Sequence, residues 1–131
     1  MDTIVKELTV WSDAGRTTVP VRFVPGTRWS LIRRDLAERL SRQWVRLTQP
    51  KRFRIPGVAE PVVTDRVCGL ELNMKGKDLD GYFHIVDVLP DPLILGADFF
   101  YAWEVTIDST HDDYTVGIDP SHIEMGFTEV A

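Results

Sequence analysis

Residues 23–32 read FVPGTRWSLI and join the end of a strand, a tight turn and a second apolar stretch. The residues that lead up to Phe23 alternate between apolar and polar side chains, which indicates a β-strand with one buried face. Pro25 and Gly26 then predict a tight turn, and residues 30–32 predict a return to extended structure. A turn of this kind can aim one side chain at a cleft. Its residues are therefore the first candidates for a functional site.

Outward from this turn, most of the chain predicts short strands separated by Gly and Pro. Two stretches depart from this pattern. Residues 33–40 have the spacing of a short helix, and residues 97–103 are expected to form a second one. The length of 131 residues and the 44% hydrophobic content suit one domain over residues 1–131. The sequence thus predicts a mostly β fold with one or two short helices. The predicted strands are residues 3–11, 18–24, 30–32, 52–55, 62–67, 70–74, 82–88, 105–108 and 114–118, with a buried apolar segment at 93–96.

The composition argues against a metal site, an internal disulfide and a membrane-spanning helix. The single cysteine, Cys68, excludes an internal disulfide and a cysteine-based zinc site, and it is expected to be a buried small hydrophobe. The three histidines are far apart in the sequence, so we expect no metal and no cofactor. No apolar run approaches the ~20 residues of a membrane helix, and the first residues do not resemble a signal peptide. We expect a soluble, intracellular (cytoplasmic) protein.

Charge is distributed unevenly along the chain, whose net charge is −5. Residues 28–54 contain nine Lys and Arg against two acidic residues. Such a segment can form an electrostatic footprint for nucleic acid or for an acidic partner. It can equally be a solvated helix face followed by strand ends, and the sequence leaves both interpretations open.

A second motif, ILGADFF at residues 94–100, makes the order of elements informative. A glycine-bearing turn followed by Ser-Leu-Ile, a helix, hairpins and then this motif resembles the retropepsin-like aspartic proteases over residues 8–118. The resemblance implies an acid-protease half-barrel that forms a homodimer over a central cleft. It implies a flap that contains Gly57, Val58, Glu60, Pro61, Val62, Val63 and Thr64. It also implies a structural motif formed by Ile94, Leu95, Gly96 and Asp98.

The sequence departs from this family where the chemistry would occur. The family motif reads Asp-Thr-Gly-Ala-Ser, and two such aspartates from two chains share a proton and activate water. Val24 stands at the position of the aspartate, Pro25 at that of the threonine, and Arg28 where a small or polar residue is usual. Valine can neither give nor take a proton. The expected peptide-binding cleft contains Val24, Pro25, Gly26, Thr27, Arg28 and Trp29.

These observations favour a catalytically inactive homodimer that acts in peptide binding or protein assembly. One alternative is an active aspartic endopeptidase of retroelement or bacterial type that uses an unrecognised catalytic group. Asp98 would be the first nominee for that group, although the resemblance makes it a structural residue that starts a helix. A second alternative is a scaffold domain whose basic face contacts nucleic acid.

Overall fold

The computed structural model describes residues 3–55 and 57–119, which form a mostly β fold with two short α-helices. The helices are α1, Arg34–Leu40, and α2, Ala97–Trp103. A 3-10 helix, Ser109–His111, lies between the last two strands. The strands are β1 Ile4–Trp11, β2 Arg16–Phe23, β3 Leu31–Arg33, β4 Trp44–Phe53, β5 Val62–Met74, β6 Lys77–Val86, β7 Leu93–Leu95, β8 Val105–Asp108 and β9 Asp113–Val116.

Seven strands form one sheet in the order β1-β2-β7-β3-β6-β5-β4. The pairs β2–β7 and β3–β6 are parallel, whereas β1–β2, β3–β7, β4–β5 and β5–β6 are antiparallel. A further pairing of β1 with β5, through Val10 opposite Leu72, brings distant parts of the sheet together and curves it toward a barrel. Strands β8 and β9 form a separate hairpin. The curved sheet places the turn after β2 beside the start of α2.

Two apolar clusters form the interior of the described part of the chain. The larger one lies inside the curved sheet, where the alternating residues of β2 and one face of α1 are buried. The smaller one lies beneath the connection between β4 and β5. We call it the Val24 cluster, and it consists of Val24, Leu31, Ile55, Val86, Leu89 and Ile94, with Phe53, Val58 and Val62 packed against it.

The mostly β fold class and the two helices expected from the sequence are confirmed. Cys68 is buried as expected, and burial raises the pKa of its thiol to about 12. Two details of the predicted elements are wrong. Strand β4 begins at Trp44, whereas the sequence predicted a start at residue 52. The strand lies at the edge of the sheet and has many exposed polar residues, so its sequence lacks the apolar alternation that indicates a strand. Residues 62–67 and 70–74, expected to be two strands, belong to the one continuous strand β5, in which Gly69 pairs with Tyr82.

Candidate ligand-binding site

The turn after β2 is held by backbone hydrogen bonds to the start of α2. The Val24 N–H donates to the Leu95 carbonyl at 2.9 Å, and the Thr27 N–H closes the turn onto the Val24 carbonyl at 3.0 Å. In return, the Ala97 N–H donates to the Thr27 carbonyl at 2.7 Å. These bonds join the two sequence motifs directly. They fix the path of the turn without any titratable side chain.

A side-chain network supports the same junction. Gly96 donates its N–H to the Ser30 hydroxyl at 2.9 Å, and that hydroxyl donates to Asp98 Oδ1 at 2.7 Å. The same Oδ1 atom accepts the Phe99 N–H at 2.8 Å. A carboxylate that accepts a backbone N–H in the first turn stabilises the start of a helix. Asp98 thus joins the first motif to α2.

Val24 itself is buried, with 4% of its surface exposed. Its side chain packs against apolar residues of the Val24 cluster. A cavity of about 470 Å³ lies beside it. The side chains of Arg22 and Asp91 form an ion pair of 2.7 Å at the cavity wall. The cavity is lined by Thr3, Arg22, Val24, Ile55, Gly57, Pro90, Asp91 and Ile94.

The expected flap corresponds to the connection between β4 and β5 and the first residues of β5. Gly57 adopts a φ of 83°, a left-handed conformation that glycine adopts without strain, and it lines the cavity beside Val24. Val58 and Val62 pack against the Val24 cluster, whereas Val63 is exposed. The connection therefore covers Val24 with part of its apolar surface. Pro61 is half-buried, Glu60 is exposed, and the buried Thr64 donates its hydroxyl to the Arg66 carbonyl.

Four of the other residues of the expected cleft, all except Pro25, line a different cavity. Arg28 and Trp29 do not line the cavity beside Val24. Together with Gly26 and Thr27 they line a second cavity of about 560 Å³, whose other wall is the end of β4. The Lys51 ammonium lies 4.1 Å and the Arg28 guanidinium carbon 5.1 Å from the centre of the Trp29 ring. We call this second space the basic cavity. Its other wall consists of Lys51, Arg52 and Phe53 from β4 and of Arg54, which follows the strand.

His84 is a site residue that the sequence reasoning missed. Its ring lies 5.3 Å from the ring of Trp29 and 5.4 Å from that of Phe53, and its buried Nδ1 has no hydrogen-bond partner in the described chain. Burial, and next the Lys51 cation, lower its pKa. The only sequence signal was a histidine inside the apolar run of β6. The ring therefore lies between Trp29, in the turn after β2 (the motif turn, residues 24–29), and Phe53 of β4.

The basic segment 28–54 does not form one uniform positive face. Arg33 pairs with Asp35 at 2.7 Å, and Arg34 pairs with Asp87 at 3.0 Å. Arg46 lies 3.9 Å from Asp65. Among residues 3–55 and 57–119, by contrast, no ion pair involves the four cations of the basic cavity. Arg28, Lys51, Arg52 and Arg54 thus line one cavity beside Trp29 without a carboxylate partner among the described residues.

Metal and membrane features are absent from the described residues. No group of three or more His, Cys, Asp or Glu side chains within them is arranged to hold a metal ion. None of the helices in the same residues is both long enough and apolar enough to span a bilayer.

Comparison with known proteins identifies the fold. Neither a protein-family model nor a curated protein matches the sequence. The retroviral protease-like domain of Ddi1 from Leishmania major is similar in structure, with a TM-score of 0.58 and 16% identity over 88% of each chain. EIAV protease, solved in complex with the inhibitor HBY-793, gives a TM-score of 0.55 and 18% identity over 82% of this chain and 93% of its own. The chain therefore has the retropepsin-like fold of retroviral protease-like domains.

Proposed function

We propose that this chain is a catalytically inactive retropepsin-like domain that binds extended peptide segments as a homodimer. One observation carries the proposal: Val24, which the sequence resemblance aligns with the family's aspartate, is buried and packs against apolar side chains. Aspartic proteolysis needs two carboxylates that share a proton, one to activate water and one to protonate the carbonyl. A pair of valines performs neither step.

Asp98 is a poor substitute for the missing carboxylate. Its Oδ1 atom already accepts hydrogen bonds from Ser30 and from the Phe99 backbone. These bonds orient the side chain toward the junction of the two motifs. A general base must instead reach a water molecule beside the substrate carbonyl. We therefore assign Asp98 to the structure of the turn.

Peptide binding is supported by the space beside Val24 and by the edge of the sheet. The 470 Å³ cavity has Val24, Ile55 and Ile94 in its wall, which suits an apolar side chain. Strand β4 ends the order of the seven-stranded sheet and pairs only with β5 among the described strands. An edge strand has free backbone donors and acceptors that an extended peptide can use. Neither contact requires an aspartate.

Calorimetric titration with short blocked peptides rich in Val and Thr tests this function. We expect saturable binding without cleavage of the peptide. A Thr3→Trp variant narrows the cavity at an exposed position of its wall and should weaken binding. Thr110→Trp adds the same ring at an exposed residue that lines neither cavity, and it should leave binding unchanged.

Two outcomes would contradict the proposal. Cleavage of the peptides would favour an active endopeptidase with an unrecognised catalytic group. Absence of binding in every peptide, together with binding of an oligonucleotide, would favour the scaffold that contacts nucleic acid through its basic face.

A further inference from the structure

The basic cavity contains four cations without a carboxylate partner. Arg28 comes from the motif turn, Lys51 and Arg52 come from the end of β4, and Arg54 follows that strand directly. No described carboxylate lies within ion-pair distance of any of them, although other cations of the segment 28–54 do have such partners. Thr27 also lines the cavity, and its buried hydroxyl has no partner in the described chain. The cavity thus offers positive charge and no anion to balance it.

Two of these cations converge on a single aromatic ring. Arg28 and Lys51 both contact Trp29, at 5.1 and 4.1 Å from the ring centre. The indole attracts each cation, but the two like charges repel one another. The positive charge of Lys51 also acts on His84, because it helps to lower the pKa of that histidine. A negative group bound in the cavity would remove this repulsion and form charge-assisted hydrogen bonds with both side chains.

The strand geometry separates the four cations into two sets. Successive side chains of a strand point to opposite faces, so Lys51 and Phe53 share the face that contacts Trp29 and His84. Arg52 occupies the alternate position of the strand, Arg54 follows its last residue, and both are exposed. An anion in the cavity would therefore meet Arg28 and Lys51 first. The two exposed arginines would add a general attraction.

From this arrangement we infer that the basic cavity is a subsite for an acidic side chain, Glu or Asp, of an extended peptide bound along the edge of β4. The inference rests on the proposed peptide-binding function and adds a preference to it. The backbone of the peptide pairs with the strand edge, and its carboxylate lies between the Arg28 guanidinium and the Lys51 ammonium.

A peptide fits the cavity better than a nucleic acid. Single-stranded nucleic acid binds through bases stacked on exposed aromatic faces and through a continuous basic groove. The Trp29 ring already contacts Arg28, Lys51 and the ring of His84. Ion pairs with Asp35, Asp87 and Asp65 also interrupt the positive charge outside the cavity. The chemistry suits one carboxylate better than a row of phosphates.

The test compares pairs of blocked peptides that differ only by Glu or Gln at one position. We expect the best Glu peptide to bind about tenfold more tightly than its Gln counterpart at low salt, because a charged hydrogen bond is stronger than a neutral one. The preference should decrease as salt is added. It should disappear in Arg28→Gln and in Lys51→Gln, so that the Glu and Gln peptides bind each variant with equal affinity.

Arg16→Gln is the matched control. Arg16 also lies over an indole, 4.8 Å from the ring centre of Trp11, but it does not line the basic cavity. This variant removes the same charge and the same kind of contact, so the preference for Glu should persist. Circular dichroism of all three variants verifies that each is folded.

Three results would overturn the inference, and they separate it from the proposed function. Equal affinities for Glu and Gln peptides at every position would refute the acidic subsite and leave the peptide groove intact. Absence of binding by any peptide would refute both. Binding of an oligo-dT strand that is lost in Arg28→Gln and Lys51→Gln, without any preference for Glu, would assign the cavity to nucleic acid.

Discussion

At the scale of single residues, Gly96 is the position of the site with the least room for a side chain. A Cβ atom at this position would lie 2.5 Å from the Trp29 carbonyl oxygen and 2.6 Å from that of Thr27. Both atoms belong to the backbone and cannot move aside as a side-chain end can. The glycine of the ILG motif is therefore required by the close approach of α2 to the motif turn. The sequence pattern suggested its importance, but only the packed turn explains it.

Gly96→Ala should destabilise the protein by about 2–3 kcal/mol, in the upper range for forcing an extra carbon into a packed site. Gly69→Ala is the matched control, since its Cβ would have its nearest neighbour, Tyr82, at an ordinary 3.8 Å. Denaturant unfolding measures both variants. Equal stabilities of Gly96→Ala and the unmodified protein would contradict the packing described for this turn.

At the scale of secondary structure, three elements come together around His84. Strand β6 carries the histidine, the motif turn carries Trp29 and β4 carries Phe53. The helices and the hairpin turns follow from local spacing and from Pro and Gly, so the sequence predicts them well. The parallel pairing of Leu31 with His84 joins strands far apart in the chain. No local pattern encodes it, and for this reason the contact of His84 with the turn was missed.

His84 should make stability depend on pH. Its folded-state pKa is lowered from the ordinary 6.5 by burial and by Lys51, although Asp98 partly offsets these effects. The unfolded chain therefore binds the proton more readily, and stability present above about pH 6.5 is lost as the pH falls through the folded-state pKa. His84→Phe keeps a ring between Trp29 and Phe53 and removes the titration.

The measurement is the denaturation midpoint at about pH 7.5 and about pH 5, on either side of the ordinary pKa. We expect the decrease toward low pH to be smaller in His84→Phe than in the unmodified protein. His111→Phe serves as control, because His111 is exposed and lies 2.7 Å from Asp108. An identical pH dependence in His84→Phe and the unmodified chain would show that His84 does not titrate as described.

At the scale of the whole molecule, we propose that the chain forms one half of a cleft that a second copy completes. Pro25 and Gly26 are exposed at the end of the motif turn. A cavity of about 360 Å³ adjoins this turn, lined by Pro25, Phe100, Val105, Thr106 and Ile107. Such an apolar surface beside an exposed turn suits an isologous contact with a second copy. The chain termini, also expected at the interface, include residues 1–2 and 120–131, which lie outside the described residues.

We expect light scattering at micromolar concentration to give twice the chain mass of 14.9 kDa. Thr106→Glu places a charge at the exposed rim of the cavity beside Pro25 and should shift the protein toward monomer. Thr110→Glu makes the same change at an exposed residue outside that cavity and should leave the dimer intact. A monomer at all concentrations would count against the proposed assembly.

The most direct test of the central claim is pepstatin-sensitive cleavage of denatured protein substrates. General acid and base steps are each worth about a hundred- to ten-thousand-fold in rate, and Val24 supplies neither. Between roughly pH 4 and 7, where a shared-proton pair would be poised, we expect the unmodified protein to give no such cleavage. The variant with Val24→Asp, Pro25→Thr, Thr27→Ala and Arg28→Ser rebuilds the family motif and has the best chance of activity. Robust pepstatin-sensitive cleavage by the unmodified protein would contradict the claim and return Asp98 as the first carboxylate to test.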